Sequence, residues 1–335
     1  MKPILLDYLC DPVDKSDLTL KEPIYDSKGN IKKGFLVSEN GCNYAIINGI
    51  PRFVTNDVLT GTVDSFGDQW NYFNFDLFKE NWLNHTVKNT FGSPEYFKNK
   101  VIVDAGAGSG MQSRWFCESG ANYVISLELS HSVDNIMKVN LEGIETVDIV
   151  QCSIDQPPIR DGRIRGIVYC HNVIQHTPSV ENTASELWKI TGEGGEFVFN
   201  CYEINPSNFI RRLRNDFYMN LRKYMSRRSF KFRLRYSKVM SVLRFVPLLG
   251  MLMEKACLVS RGDVPKGPNT IKRQYVQGIL NTFDLYGSHT YQHHKTNEQM
   301  KTLIHELQPD SEKILNYDKY FDKPRPVGCA VRLFR

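Results

Sequence analysis

The sequence predicts an α/β protein: a mostly parallel sheet covered by helices on both faces, a small β-rich unit ahead of it, and a helical insertion. Three observations predict this. From Lys100 to Tyr202, short apolar runs of strand type alternate with segments of helical period. A glycine-rich loop, Gly106-Ala107-Gly108-Ser109-Gly110, directly follows the first of these runs and opens a helix. The rhythm stops near residue 203 and is replaced by long basic and apolar stretches without strand signals. Strand–helix alternation implies crossover connections, hence parallel strands buried on both sides.

Composition sets outer bounds. The chain has 335 residues, 41% hydrophobic and 24% charged, enough for one large or two modest domains with a sizeable core. A disulfide-stapled miniprotein, a collagen and a disordered tail are excluded. No uninterrupted apolar stretch approaches the roughly 18 residues of a membrane-spanning helix. The opening Met-Lys-Pro-Ile-Leu-Leu-Asp is too short for a signal peptide, and the eight cysteines form no C-x-x-C pair. Cys152, Cys170 and Cys201 lie in or beside apolar runs and read as small buried hydrophobes. A cytoplasmic protein is expected.

The elements follow in order. Residues 1–54 form the small unit, with short strands at Leu18–Leu20, Gly34–Val37 and Tyr44–Ile47 and a turn at Asn48-Gly49. Residues 55–99 are aromatic-rich, with one or two helices leading into the main domain. Within 100–202, strands are expected at Val101–Val103, Tyr123–Leu127, Val147–Gln151, Ile164–Cys170 and Glu196–Asn200. Helices are expected at Met111–Glu118, Val133–Val139 and Glu181–Ile190. Residues 203–300 are a mainly helical insertion. Residues 301–335 close the fold with a helix and two strands, Lys313–Tyr317 and Val327–Phe334, suited to an antiparallel edge.

The loop at Gly106–Gly110 carries the chemistry. Glycines let the backbone turn tightly and approach a ligand, and the helix start after them presents N–H groups. The spacing is G-x-G-x-G with Met111 next, which departs from the dinucleotide pattern G-x-G-x-x-G. Asp104 precedes the loop. Glu128 closes the next strand, 24 residues after Asp104, where an acid accepts hydrogen bonds from ribose hydroxyls.

At these residues the sequence resembles the class I S-adenosylmethionine-dependent methyltransferases, with a Rossmann-like seven-stranded sheet. The resemblance assigns the cofactor S-adenosylmethionine to Asp104, Gly106, Ala107, Gly108, Gly110, Glu128 and Leu129. Ser153 and Ile154, after the third strand, stand at the adenine position; Ser153 replaces the usual acid. His171 and Asn172 begin the strand-end segment His171-Asn172-Val173-Ile174-Gln175-His176-Thr177-Pro178, which resembles V-L-x-H-x-x-D. Phe66, Gln69 and Trp70 are candidates to cover the cofactor, where an aromatic ring gains cation–π attraction to a sulfonium. Residues 1–54, through Leu5–Cys10, Pro12 and Tyr44–Phe53, resemble a Trm112-like zinc-ribbon module. Only Cys10 and Cys42 remain of its knuckles, so zinc is not expected. This combination is similar to a bacterial group associated with surface-polysaccharide biosynthesis.

Methyl transfer is an in-line displacement at a sulfonium carbon, so the protein need only align the acceptor and remove its proton. A base with a pKa near neutral suits this, which favours histidine. His171 and His176 follow the fourth strand; His293 and His294 lie near the end of the insertion. These four are the catalytic candidates. Asp284 with His293 and His294 makes a metal set only on paper, because adjacent strand residues point to opposite faces; no metal site is expected. His85, His131, His289 and His305 read as surface residues.

Net charge is +5, from 42 Lys and Arg against 37 Asp and Glu. Between Phe209 and Gly250 stand twelve Lys or Arg and one acid, Asp216, leaving −6 for the rest of the chain. Aromatics are interleaved. Such a segment fits an anionic partner. A nucleotide- or lipid-linked sugar offers a diphosphate, and the insertion would be its lid. An anionic membrane surface would accept the bases while Val242–Met253 dips in, at the inner face of the membrane. RNA would follow the phosphate-binding groove. The resemblance implies O-methylation of a sugar, nucleotide-sugar or glycan intermediate. The alternatives are a natural-product or other small-molecule methyltransferase, an RNA methyltransferase, against which stand the lost knuckles and the lack of an N-P-P-Y-type motif after the fourth strand, and a non-enzymatic membrane-docking scaffold.

Overall fold

The structure, a computed structural model, describes residues 1–54, 61–203, 209–260, 270–287, 291–315 and 329–335. It divides into two compact units, 1–204 with 291–335, and 205–290.

In the first unit, β1 (Leu18–Tyr25), β2 (Ile31–Ser38), β3 (Asn43–Ile47) and β4 (Ile50–Pro51) form an antiparallel meander. Asn48 and Gly49 take positive φ, 53° and 77°, as the tight β3–β4 turn requires. Helix α1 (Gly61–Tyr72) follows. Then comes a continuous helical stretch, α2 (Lys79–Asn81), a π-helical turn at Trp82–Val87, and α3 (Lys88–Phe91).

The alternating region runs β5 (Val101–Ala105), α4 (Met111–Glu118), β6 (Tyr123–Glu128), α5 (Ile136–Leu141), β7 (Val147–Gln151), β8 (Ile167–Cys170), α6 (Val180–Ile190) and β9 (Glu196–Glu203). After the insertion come β10 (His294–Lys295), α11 (Asn297–Leu307), β11 (Ser311–Leu315) and β12 (Cys329–Phe334). The insertion itself supplies α7 (Phe209–Ser226), α8 (Phe230–Leu243), α9 (Pro247–Lys255) and α10 (Thr270–Leu285). Strand order is β11-β12-β9-β8-β5-β6-β7, parallel except for β12, which is antiparallel to both neighbours. The expectation of seven strands meets a path of seven with an eighth, two-residue strand: β10 pairs parallel with the end of β9, His294 opposite Tyr202.

Strand alternation divides the core. Val103 and Ala105 of β5 face one side with α6, α11 and the N-terminal meander; Ile102 faces the other with α4, α5 and Trp82. The meander shares this first core through Leu36 and Ile46, and the 3₁₀ turn ahead of it, Pro3–Asp7, and the residues after that turn add Leu5 and Leu9. It is also tied by backbone: Phe53 N–H donates to the Gln151 carbonyl at 2.8 Å. Cys152, Cys170 and Cys201 are buried. A buried ion pair, Arg332 Nε to Glu196 Oε2 at 2.8 Å, locks β12 to β9.

Several sequence expectations shift. The strand expected from Ile164 begins at Ile167, because Ile164 makes only a bridge to Thr191. The helix expected at Val133–Val139 is split into a 3₁₀ turn, His131–Asp134, and α5. His131 is no plain surface residue: a Cβ on Gly67 would lie 2.3 Å from its ring, so it is wedged against α1. His85 is partly buried, and burial lowers its pKa; His289 lies outside the described residues. The basic segment is not one solvated face. Arg222, Arg233 and Arg244 are buried, Arg233 stacks on Phe283 at 4.9 Å, and Arg244 meets Glu254 at 3.5 Å.

Candidate active site at the carboxyl edge of the parallel sheet

Strand order switches at β5: β6 and β7 are added on one side of it and β8 and β9 on the other, all parallel, which leaves a crevice at the carboxyl ends of β5 and β8. The glycine loop fills this point. Gly106, Gly108 and Gly110 have φ of 81°, 58° and 77°, in the left-handed region that side chains resist. The space is also taken. A Cβ would fall 2.4 Å from Val173 at Gly106, 2.9 Å from the Trp70 ring at Gly108, and 2.9 Å from Met137 at Gly110. The loop is thus bounded by the segment after β8, by α1 and by α5. Gly106 and Ala107 N–H groups both donate to the Leu127 carbonyl, at 2.8 and 2.9 Å.

Glu128 sits beside this loop, buried. Its Oε2 accepts from Gly108 N–H and its Oε1 from Ser130 N–H, each at 2.8 Å. Burial raises its pKa, and these hydrogen bonds pull the other way. Ser132 Oγ donates to the Gly108 carbonyl at 2.7 Å. Asp104 accepts from Ser113 Oγ at 2.6 Å and is pushed up to about 7 by burial. Leu129 is positioned through its carbonyl, which accepts from Gln151 Nε2 at 3.1 Å; Arg52 of the meander donates to Gln151 Oε1 at 2.7 Å. Ser153 Oγ donates to Asp155, and Ile154 is buried in the core.

The four candidate histidines come from distant sequence positions to the carboxyl ends of β8 and β9. His171 stacks on Tyr169, centroids 5.7 Å apart, and burial pushes it down to about 4. Asn172, at φ 60°, exchanges two hydrogen bonds with Asn200: its N–H donates to Oδ1, and Asn200 Nδ2 donates back to Asn172 Oδ1, each at 2.7 Å. His176 Nδ1–H donates to the Tyr291 carbonyl at 3.1 Å. His293 binds the same loop twice: its backbone N–H donates to the Gln175 carbonyl at 2.9 Å and Nε2–H to the Thr177 carbonyl at 3.0 Å. His176 and His294 pack against Tyr202, at 5.6 and 5.7 Å. Gln69 is buried and Trp70 half-buried over the loop; the Phe66 side chain lies outside the described residues.

Three residues at this edge carry little signal in the sequence. Tyr202 links two histidines, and its only signal is an aromatic at a strand's carboxyl end. His131 closes α1 onto the segment after Glu128. Gln175 is fully buried, with neither Oε1 nor Nε2 hydrogen-bonded among the described residues. Also among the described residues, no group of three or more His, Cys, Asp or Glu is placed to hold a metal ion.

The site residues fit a nucleoside with a vicinal diol. Glu128 is acceptor-only when ionised, and each oxygen retains acceptor capacity beyond its backbone bond. The adjoining loop has the glycines that close approach requires. Residues 103–199 match the profile of a family described as "Methyltransferase domain". The chain is 23% identical over 130 residues to a ubiquinone biosynthesis O-methyltransferase of Erwinia tasmaniensis, 38% of this chain and 50% of that protein. It is 26% identical over 140 residues to an uncharacterized chloroplastic methyltransferase of Arabidopsis thaliana, covering 36% and 40%. It therefore spans half or less of these relatives' lengths. Among solved structures, an S-adenosylmethionine-dependent methyltransferase from Mesorhizobium loti aligns with a TM-score of 0.42 at 14% identity, covering 73% of this chain and 99% of that one.

Proposed function

We propose that this protein is an S-adenosylmethionine-dependent methyltransferase acting on an oxygen of a sugar, nucleotide-sugar or glycan intermediate. One observation carries the reading: the buried Glu128 carboxylate, bonded to Gly108 of a left-handed glycine loop at the switch point of a parallel sheet. Glu128, the Gly106–Gly110 loop, Leu129 and the Ser153–Ile154 segment would hold the nucleoside, with Trp70 and Gln69 covering it. When bound, S-adenosylmethionine supplies an electrophilic sulfonium methyl with a neutral thioether as leaving group.

The chain's own residues supply alignment and a proton acceptor. We assign the base to His176. Its Nδ1–H is spent on the Tyr291 carbonyl, which fixes the tautomer with the lone pair on Nε2. His171 is neutral at physiological pH because burial depresses its pKa. His293 is a positioning residue that holds the loop carrying His176. The oxygen acceptor is supported by the Erwinia relative's name; the glycan class rests on the resemblance above. The meander at 1–54 supports a degenerate Trm112-like module: it is an antiparallel ribbon seated on the β7 edge, and Asp11 accepts from the Val13 N–H and the Tyr44 hydroxyl.

Calorimetry with S-adenosylhomocysteine tests the cofactor site, and radiolabelled methyl incorporation into nucleotide-sugar and lipid-linked sugar pools tests the acceptor. Absence of binding by folded protein overturns the reading; binding without sugar labelling removes only the acceptor class.

A further inference from the structure

In the second unit, α8 is built inside out. It buries Arg233, Ser237 and Ser241, and it exposes Val239 and Val242, the latter at 55%. The exposed face therefore mixes aliphatic side chains with Lys231, Arg235 and Lys238, while a helix whose outer face meets water carries polar residues there throughout. The pattern continues into α9. Gly250 and Met253 face inward, while Leu248 and Leu252, 66% and 53% exposed, share the outward face with Met251 and Lys255 at helical spacing. The corner between the helices is tightly built. Gly250 N–H donates to the Val246 carbonyl at 2.7 Å, and a Cβ on Gly250 would lie 1.9 Å from the Arg244 carbonyl. Exposed Phe245 and Val246 sit on this corner. The result is a fixed apolar prominence larger than scattered surface residues produce.

Its rim is cationic. Over residues 217–260, seven Lys or Arg are exposed, among them Lys231, Arg235, Lys238 and Lys255. The acid in that span, Glu254, is partly buried and faces Arg244. We propose that the α8–α9 corner docks on an anionic phospholipid bilayer, its apolar side chains entering the interface and the surrounding cations meeting lipid phosphates. A second copy of the chain would bring like charges together around the same patch, which opposes self-association. RNA would use the cations and leave the aliphatic prominence in water. Among the described residues no helix is long and apolar enough to cross a membrane, so the contact is peripheral. This inference stands apart from the methyltransferase reading, because its test does not involve methyl transfer.

The test is co-sedimentation of the full chain with vesicles of phosphatidylcholine alone, or of phosphatidylcholine with phosphatidylglycerol. The protein is expected to pellet with the anionic vesicles, to stay in solution with the neutral ones, and to be released by salt. Leu248→Asp with Leu252→Asp should abolish pelleting without changing the thermal midpoint, since both side chains are exposed. Lys231→Gln and Arg235→Gln should each weaken partitioning roughly fivefold. Folded protein that ignores anionic vesicles overturns the proposal, as does pelleting unaffected by the two aspartates. Concentration-dependent dimerisation relieved by those aspartates, without vesicle binding, would assign the face to a second copy. RNA binding that depends on the cations alone, without vesicle binding, would assign it to nucleic acid.

Discussion

The Glu128 carboxylate accepts the backbone N–H of Gly108 at 2.8 Å, across 20 residues of chain, and joins the end of β6 to the loop after β5. The acid expected to read a ribose therefore also shapes the loop beside it. Removing it has two consequences. Glu128→Ala leaves the N–H groups of Gly108 and Ser130 without these acceptors and should cost about 2 kcal/mol or more. Glu128→Gln keeps one acceptor oxygen, and should fold while binding S-adenosylhomocysteine roughly tenfold more weakly through loss of the charged acceptor. Calorimetry beside thermal melts separates the two; unchanged binding in Glu128→Gln would remove the diol role.

Gly108 and Trp70 are coupled by contact. With φ at 58° and the indole in the way, Gly108→Ala should destabilise the protein by about 1–2 kcal/mol and displace Trp70. The same substitution in a Trp70→Ala background should cost less, because only backbone strain remains. A double-mutant cycle on urea unfolding gives the difference, and strict additivity would mean the indole does not bear on the loop.

Asp104 and His171 respond to pH with opposite signs. Folded Asp104 titrates at about 7 against an ordinary 3.8, so between those values the native state holds a proton the unfolded chain has lost. Its contribution is complete at low pH and fades as pH rises toward 7. Folded His171 titrates at about 4 against 6.5, so its contribution is complete above 6.5 and fades as pH falls toward 4. Across pH 4–6.5 the two slopes oppose each other. Asp104→Asn should steepen the gain of stability with rising pH in that window, and His171→Gln should tilt it the other way. Unfolding midpoints at stepped pH read both; a pH profile that neither variant alters would contradict the burial seen here.

Gln175 is fully buried without a hydrogen-bond partner for its amide among the described residues. Gln175→Met should leave stability unchanged or raise it by about 1 kcal/mol, since a desolvated amide is replaced by an apolar chain of similar length. If the amide serves the acceptor or the nucleoside, kcat/KM should fall in the same variant. A marked loss of stability instead would show that the amide is satisfied in solution.

Much of this organisation was legible before the structure. The glycine loop was visible because only glycine takes three nearby left-handed positions without strain, and the predicted helix Met111–Glu118 matches α4 to the residue. Tyr44–Ile47 and Val147–Gln151 were legible from their apolar patterns. The split of Val133–Val139 was not, because Ser130 Oγ accepts from Ser132 N–H and starts a 3₁₀ turn. Nor was the inversion of α8: a run of alternating basic and apolar residues does not say which face turns inward.

The sequence by itself determined the α/β alternation, the left-handed glycine loop and the acid after the second parallel strand, since these depend on local backbone preference and short-range period. Tertiary structure alone decided that His176 and His294 meet on Tyr202, that Trp70 covers Gly108, and that Arg233 is buried while Leu248 is exposed. Those outcomes depend on which distant segments compete for the same buried space, and no local pattern encodes that competition.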